Sequence, residues 1–361
     1  MNILVLAGGL SPERDVSLSS GSKIASALIE RGHRVAMVDV YMDLGELPRF
    51  SDEPIPPCSA AETEPDLDAL RAERIALRGG EEGSGELIGR GVVDACRAAD
   101  VVFLALHGGM GENGQLQALL DCYGIVYTGS PYAGCAVAMD KDISKRIVCR
   151  EGIDTARWIT MDRGELSAAR VLDELGLPCV VKPIGCGSSV GVSLVHTESE
   201  LGAALDEAER CGQAVVAEEF VGGREFSVGV LGERALPSIE IEPKGGFYDY
   251  KNKYQAGCTV ETTPANIPPQ LEQRLREASL TAHRALGLYS YSRSDFIYRE
   301  QDDRLVYLET NTLPGMTPTS LLPQEAASAT PSYARLSSAT LSSAEGTRGR
   351  GNAEDEGNAA F

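Results

Sequence analysis

Residues 289–317, YSYSRSDFIYREQDDRLVYLETNTLPGMT, constrain the fold more than any other stretch of the chain. Two arms rich in aromatic, aliphatic and β-branched residues flank the polar cluster 299–304, the pattern of a β-hairpin. A turn centred near Asp302 sets Asp295 opposite Glu309 and Arg293 opposite Asn311. Side chains two apart on a strand share a face, so Glu309 and Asn311 point the same way. Two carboxylates about 5 Å apart across a sheet repel each other. A hard divalent cation such as Mg²⁺ reverses that sign, because it takes carboxylate and amide oxygens and completes its shell with phosphate. A solvated acidic face is the alternative, and it is common in a chain this acidic. Arg293 and the Asn-Thr-Leu-Pro-Gly break after the second arm add an anion partner and backbone donors, which favours the metal.

A net charge of −20 leaves no basic surplus to displace counterions, so nucleic acid is excluded as a partner while a nucleotide ligand is not. At 361 residues, 43% of them apolar and 39 of them glycine, the chain should form two or three globular domains of an α/β enzyme. The start, MNILVLAGGLSPERD, has no basic lead and reads as a buried strand rather than a signal peptide. No stretch approaches the ~18–20 apolar residues of a membrane span. Nine cysteines without a C-x-x-C pair look like reduced thiols, so a cytoplasmic location is expected and a membrane association is not.

Alternating strand and helix patterns divide the chain. Residues 1–130 form an N-terminal α/β domain with a parallel sheet: strand 2–7, helix 16–31, strand 34–40, helix 92–99, strand 100–106, helix 113–123 and strand 124–128. Within it, 43–90 is a long surface insertion with one helical patch at 67–77. A central α/β lobe spans 131–218, its strands 178–183 and 190–195 joined by IGCGSSVG. A lobe at 219–336 follows, with strands 224–231, 235–240 and 258–262 and an amphipathic helix 268–287. That helix carries Leu271, Leu275, Ala278, Ala282 and Leu286 on one stripe. The tail 337–361 is polar low complexity and should be disordered.

Chemistry-bearing residues cluster at a few places. In Val181-Lys182-Pro183-Ile184-Gly185-Cys186-Gly187-Ser188, glycines allow an anion close to the backbone and Lys182 adds a point charge. An ordinary glycine-rich hairpin would read the same way. Lys141 lies at a helix start with Lys145 one turn later, and lysines at such places are usually solvated. Glu218, Glu219 and Val221 end a strand that could pair with an adenine edge, and Glu225 stands further on for a ribose. A plain polar strand end is the alternative there.

Taken together, GGLSPERDVSLSSG (8–21), HGGMGENGQLQ (107–117), AMDK (138–141), VKPIGCGSSVGV (181–192), EEFVGGREFSV (218–228), GGFYDYKNKY (245–254), SRSDF (292–296) and LETNTLPGMTPTSL (308–321) resemble the D-alanine–D-alanine ligase family of the ATP-grasp superfamily. They run in family order over residues 1–336. The resemblance implies an ATP-grasp fold, with an N-terminal substrate domain and two lobes clamping ATP with two Mg²⁺ ions, or Mn²⁺ in their place. It assigns Asp295, Glu309 and Asn311 to the metals, and Lys141, Lys182 and Lys253 to phosphates. Glu218, Val221 and Glu225 then take the nucleotide. Glu13 holds the first D-alanine's ammonium, with His107 near that substrate, and Arg293 and the Gly315 N–H form an oxyanion site. Ser320 takes the second D-alanine's carboxylate. Ser188, Tyr254 and Glu13 form a hydrogen-bonded triad, and Tyr248 lies in a covering loop, 243–262. A homodimer is implied as well. A D-lactate or D-serine ligase, or an inactive nucleotide-binding relative, is the competing expectation. Asn113, Ser294, Thr310 and Tyr307 depart from the family pattern, and Ser294 and Thr310 are expected to disturb strand packing. The polar C-terminus stands where the family continues into an apolar helix.

Overall fold

A computed structural model of the chain describes residues 1–58, 65–79, 85–187, 190–212, 214–244 and 259–329. The tail 337–361, most of the covering loop, and Ser188, Tyr248, Lys253 and Tyr254 lie outside the described residues.

The apolar run at the start becomes β1 (Asn2–Ala7), buried from Ile3 onward. It pairs in parallel with β2 (Arg34–Asp39) on one side and β3 (Val101–Leu104) on the other, as the alternating pattern requires. Helix α1 (Arg14–Glu30) lies across them on a face of small residues, including Ser17, Ser20 and Gly21. A Cβ on Gly21 would sit 2.7 Å from the Ala7 side chain, so glycine sets the closeness of helix to sheet. The expected strand 124–128 shrinks to one parallel bridge, Val102 to Tyr127. The Thr128 hydroxyl, not a backbone carbonyl, accepts the next N–H, that of Leu104, at 3.0 Å.

In the insertion, α2 (Leu67–Leu77) buries one residue, Arg74, whose guanidinium lies 4.2 Å from the Tyr41 ring centre and donates to the Glu86 carbonyl at 2.9 Å. Arg78 grips Asp43 through two hydrogen bonds of 2.6 and 2.7 Å, which holds that carboxyl down to about 2. A segment with few apolar residues is thus tied to the sheet edge by two arginines. Helices α3 (Val92–Arg97) and α4 (Gln115–Cys122) complete this part, and α5 (Tyr132–Met139) leads out of it.

After α6 (Lys141–Arg150) comes an antiparallel sheet of β4 (Trp158–Asp162), β5 (Cys179–Pro183), β6 (Ser193–Val195) and β7 (Ala214–Glu219), in the order β4-β7-β5-β6. Val171 of α7 (Ala168–Glu174) and Leu201, Leu205 and Ala208 of α8 (Glu198–Cys211) close its core.

The remaining strands are β8 (Arg224–Leu231), β9 (Arg234–Ala235), β10 (Ile239–Pro243), β11 (Thr259–Thr262), β12 (Tyr291–Arg299) and β13 (Arg304–Asn311). They form one antiparallel sheet in the order β11-β10-β8-β12-β13, with β9 paired to β8. The expected strand 235–240 is broken into β9 and β10. Pro237 lies between them and has no N–H for a ladder, while the Ser238 N–H and hydroxyl turn to the Glu272 carboxylate. Helix α9 (Pro269–Ala285) buries Leu271, Leu275 and Ala282 against this sheet, and α10 (Leu321–Ala329) packs Leu322 and Glu325 over Gly229 of β8.

The hairpin has the expected register where its chemistry lies: Arg293 faces Asn311 and Asp295 faces Glu309. Beyond Asp295 the pairing slips by one, so Phe296 meets Tyr307 and Leu308 is the extra residue of a β-bulge. The bulge turns Tyr307 to the core, where its ring meets Phe296 edge-on with centroids 5.9 Å apart. The expected disturbance from Ser294 and Thr310 does not arise. Those residues face each other and share a hydrogen bond of 2.8 Å, and the Tyr307 hydroxyl donates to Thr310 Oγ1 at 2.9 Å. The unusual polar residues satisfy one another.

Candidate active site

The acid pair stands where β12 and β13 meet α6 and the glycine loop after β5. Asp295 is buried and accepts four hydrogen bonds: from Ser227 Oγ at 2.6 Å, Arg293 Nε and Nη2 at 3.0 and 2.9 Å, and Asn311 Nδ2 at 3.1 Å. Glu309 lies 3.4 Å from Lys141 Nζ. Each carboxylate therefore has its own cation. Among the described residues no group of three or more His, Cys, Asp or Glu could hold a metal. Two opposed carboxylates and the Asn311 amide are nevertheless the oxygen-donor chemistry that a hard divalent cation takes.

Lys141 is buried, contrary to the expectation for a lysine at a helix start. Asp140 caps α6 by accepting from the N–H groups of Asp142 and Ile143 at 3.0 and 2.8 Å, which fixes the start of the helix at Lys141. Lys141 Nζ then donates to the Cys186 carbonyl at 2.7 Å, joining the glycine loop to the hairpin.

Lys182, at the end of β5, pairs with Glu218 of β7. The other oxygen of Glu218 lies 3.1 Å from Lys145 Nζ. Burial works against this carboxylate, yet the two lysines outweigh it and hold its pKa below the ordinary value. Val221 packs against Ala156 and Val306, and Glu225 stands half-buried on β8 between β10 and β12.

From the N-terminal part, Glu13 precedes α1 and is buried. A Cβ on Gly187 would come within 3.4 Å of Glu13 Oε2 and 3.6 Å of Glu112 Oε2, so the glycine loop passes directly over both acids. Burial, with the charge of Glu13 added, pushes the Glu112 carboxyl up to about 8. His107 is a brace. Its Nδ1 faces the Leu313 carbonyl at 3.1 Å, which places the proton on Nδ1 and leaves Nε2 to accept from Ser20 Oγ at 3.2 Å. Burial lowers its pKa and keeps the ring neutral.

Gly315 lies against Ser320, where a Cβ would come within 2.7 Å of the hydroxyl. Ser320 Oγ accepts from the Thr317 N–H at 3.1 Å just before α10 begins. The Thr312 hydroxyl donates to the Glu112 carbonyl at 3.3 Å and binds this segment to the N-terminal part.

Glu13, Lys141, Arg293, Asp295 and Glu309, from three distant segments, thus gather around the glycine loop, while Lys182, just before that loop, is held by Glu218. Sequence reasoning noted Lys145 beside Lys141 without giving it a role, and gave none to Glu112 or Ser227. Lys145 carried a signal, its spacing of four from Lys141, which puts both on one face of α6. Ser227 carried none before the pairing of β8 with β12 was known.

A lysine-lined antiparallel lobe facing an acid-bearing antiparallel hairpin is the arrangement of an ATP-grasp fold. A family model described as "D-ala D-ala ligase N-terminus" matches residues 2–130, and one described as "D-ala D-ala ligase C-terminus" matches residues 147–341. The D-alanine–D-alanine ligase of Pediococcus pentosaceus is 41% identical over 338 residues, covering 93% of this chain and 95% of that one. That of Lacticaseibacillus casei is 39% identical over 330 residues, covering 90% of each. A crystal structure of the Bacillus anthracis D-alanine–D-alanine ligase complexed with ATP superposes with a TM-score of 0.75 at 28% identity, covering 97% of this chain and 99% of the other. The chain belongs to the D-alanine–D-alanine ligase family.

Proposed function

We infer that the chain is an ATP-dependent ligase that joins two D-alanines into D-alanyl-D-alanine for peptidoglycan synthesis. The observation that carries the reading is Lys141, whose ammonium joins the Cys186 carbonyl of the glycine loop to Glu309 of the acid-bearing β12–β13 hairpin. ATP phosphorylates the carboxylate of one D-alanine, the amine of the other attacks the acyl phosphate, and phosphate leaves.

The residue roles belong to the same reading. Lys141, Lys182 and Lys253 take phosphate oxygens, while Glu218, Val221 and Glu225 hold the rest of the nucleotide. Asp295, Glu309 and Asn311 would hold two Mg²⁺ ions, or Mn²⁺, which neutralise phosphate charge when bound. Glu13 meets the ammonium of the first D-alanine, with Ser188 and Tyr254 completing its hydrogen bonds, and His107 braces that wall. Arg293 and the Gly315 N–H receive the oxyanion of the tetrahedral intermediate. Ser320 takes the carboxylate of the second D-alanine, and Tyr248 belongs to the covering segment. Residues 1–130 serve as substrate domain, and 131–218 and 219–336 as the two clamping lobes. The working form is a cytoplasmic homodimer that binds neither nucleic acid nor membrane. No helix among the described residues is long and apolar enough to cross a bilayer.

The test is phosphate release from ATP with each D-amino acid in turn and with D-lactate as competing acceptor. Release that depends on D-alanine, with the dipeptide as product, is expected. Release that is indifferent to D-alanine refutes the reading.

A further inference from the structure

One buried ammonium has no part in the roles above. Lys145 on α6 is fully enclosed. Its Nζ donates to Thr155 Oγ1 at 2.6 Å, lies 3.1 Å from Glu218 Oε2, and stands 5.4 Å from the centre of the Trp158 ring. Thr155 Oγ1 donates onward to the Tyr307 carbonyl at 3.1 Å, so the group is anchored to β13. The other oxygen of Glu218 belongs to Lys182. Two ammonium groups therefore share one carboxylate that is only 3% exposed, with one positive charge in excess.

We propose that Lys145 is a positioning residue for the nucleotide site: it is the standing counter-ion of Glu218, and so frees Lys182 to exchange Glu218 for a phosphate oxygen. With Lys182 as its sole partner, Glu218 would be left as an uncompensated buried charge whenever that lysine turned to a phosphate, which is strongly unfavourable. With Lys145 in place, the exchange leaves a complete ion pair behind. The geometry divides the two lysines between these tasks. Thr155 and the Trp158 ring enclose Lys145, whereas Lys182 stands at the end of β5, where the glycine loop begins. The inference rests on the ligase reading only in taking a nucleotide polyphosphate as the anion.

Titration calorimetry with Mg·ATP and with Mg·ADP tests it on the full chain, comparing wild type, Lys145→Met, Glu218→Gln and the double variant. Lys145→Met should raise the nucleotide Kd by roughly tenfold or more. In the Glu218→Gln background the same substitution should change Kd by less than about threefold, because no carboxylate remains to neutralise. A purely structural Lys145 would cost the same in both backgrounds, and that result overturns the proposal, as does an unchanged Kd for Lys145→Met. If Lys145→Met does not fold, Lys145→Gln removes the charge while keeping a polar contact to Thr155, and the same cycle decides. Wild type that binds no nucleotide refutes the ligase reading along with the inference. Wild type that binds, with no coupling in the cycle, refutes the inference alone.

Discussion

Replacing Asp295 with Asn separates the fold from the chemistry, because its effects on stability oppose each other. The carboxylate accepts two hydrogen bonds from Arg293, one from Ser227 and one from Asn311. The amide oxygen can keep the Arg293 Nη2 and Asn311 donors, and the Ser227 hydroxyl can reverse to accept from the new NH₂. The Arg293 Nε–H is then left facing a donor, a loss of about 1.5–3 kcal/mol for a charge-assisted bond. Against this, the substitution removes repulsion from Glu309, about 3 kcal/mol for charges ~5 Å apart at an effective dielectric near 20, before Arg293 and Lys141 screen it. The two effects are similar in size, so stability should move by no more than about 1–2 kcal/mol. Catalysis has no such offset, since an amide oxygen can replace the carboxylate as a donor but not its negative charge, which the reading assigns to holding Mg²⁺ beside a triphosphate. The kcat for D-alanine-dependent phosphate release should fall by about 100-fold or more, or ~2.7 kcal/mol, and half-maximal activity should need more Mg²⁺. Steady-state assays across a magnesium series, with a thermal melt of the same sample, read both quantities. An unchanged kcat with an unchanged magnesium requirement refutes the assignment of the acid pair.

Two further outcomes concern stability. Arg157 and Arg304 outweigh the burial of Glu219 and lower its pKa from 4.5 to about 2, so the stability it contributes is present above about pH 4.5 and is lost as pH falls toward about 2. After allowance for solvent screening this amounts to about 1–2 kcal/mol, and Glu219→Gln should flatten that part of a melting-midpoint profile; an unaltered acid limb argues against it. Gly229→Ala should destabilise by about 1–3 kcal/mol through overpacking, since the new methyl would run into Leu322 and Glu325 of α10, and an unchanged melting midpoint would show that α10 can retreat freely.

The parts legible in the sequence were those set by a short period. β1 shows as an apolar run, and the pairing of Asp295 with Glu309 follows from counting along two arms. What escaped depends on partners distant in the chain. The slip at Leu308 answers to the core's need for Tyr307 beside Phe296. The inward turn of Lys141 and Lys145 follows from how α6 packs, because their spacing suits a solvated face equally well. Ser294 and Thr310 looked like defects one at a time, and only the cross-strand register shows them to be a bonded pair.

The extra residue at Leu308 also divides the ribbon into two pieces with separate duties. Residues 293–295 and 309–311 carry the polar pairs of the candidate site, while 296–298 and 305–307 pack into the hydrophobic interior, and the loop between Arg299 and Arg304 is joined to that interior half and, through Arg274 and Asp303, to α9. Lengthening that loop should leave the acid-bearing half in alignment, so it is a natural site for inserting an epitope or a reporter. Deleting Leu308 would make the pairs Asp295–Glu309 and Phe296–Tyr307 consecutive on both strands, so both halves would keep their partners while the bulge and its local bend were lost.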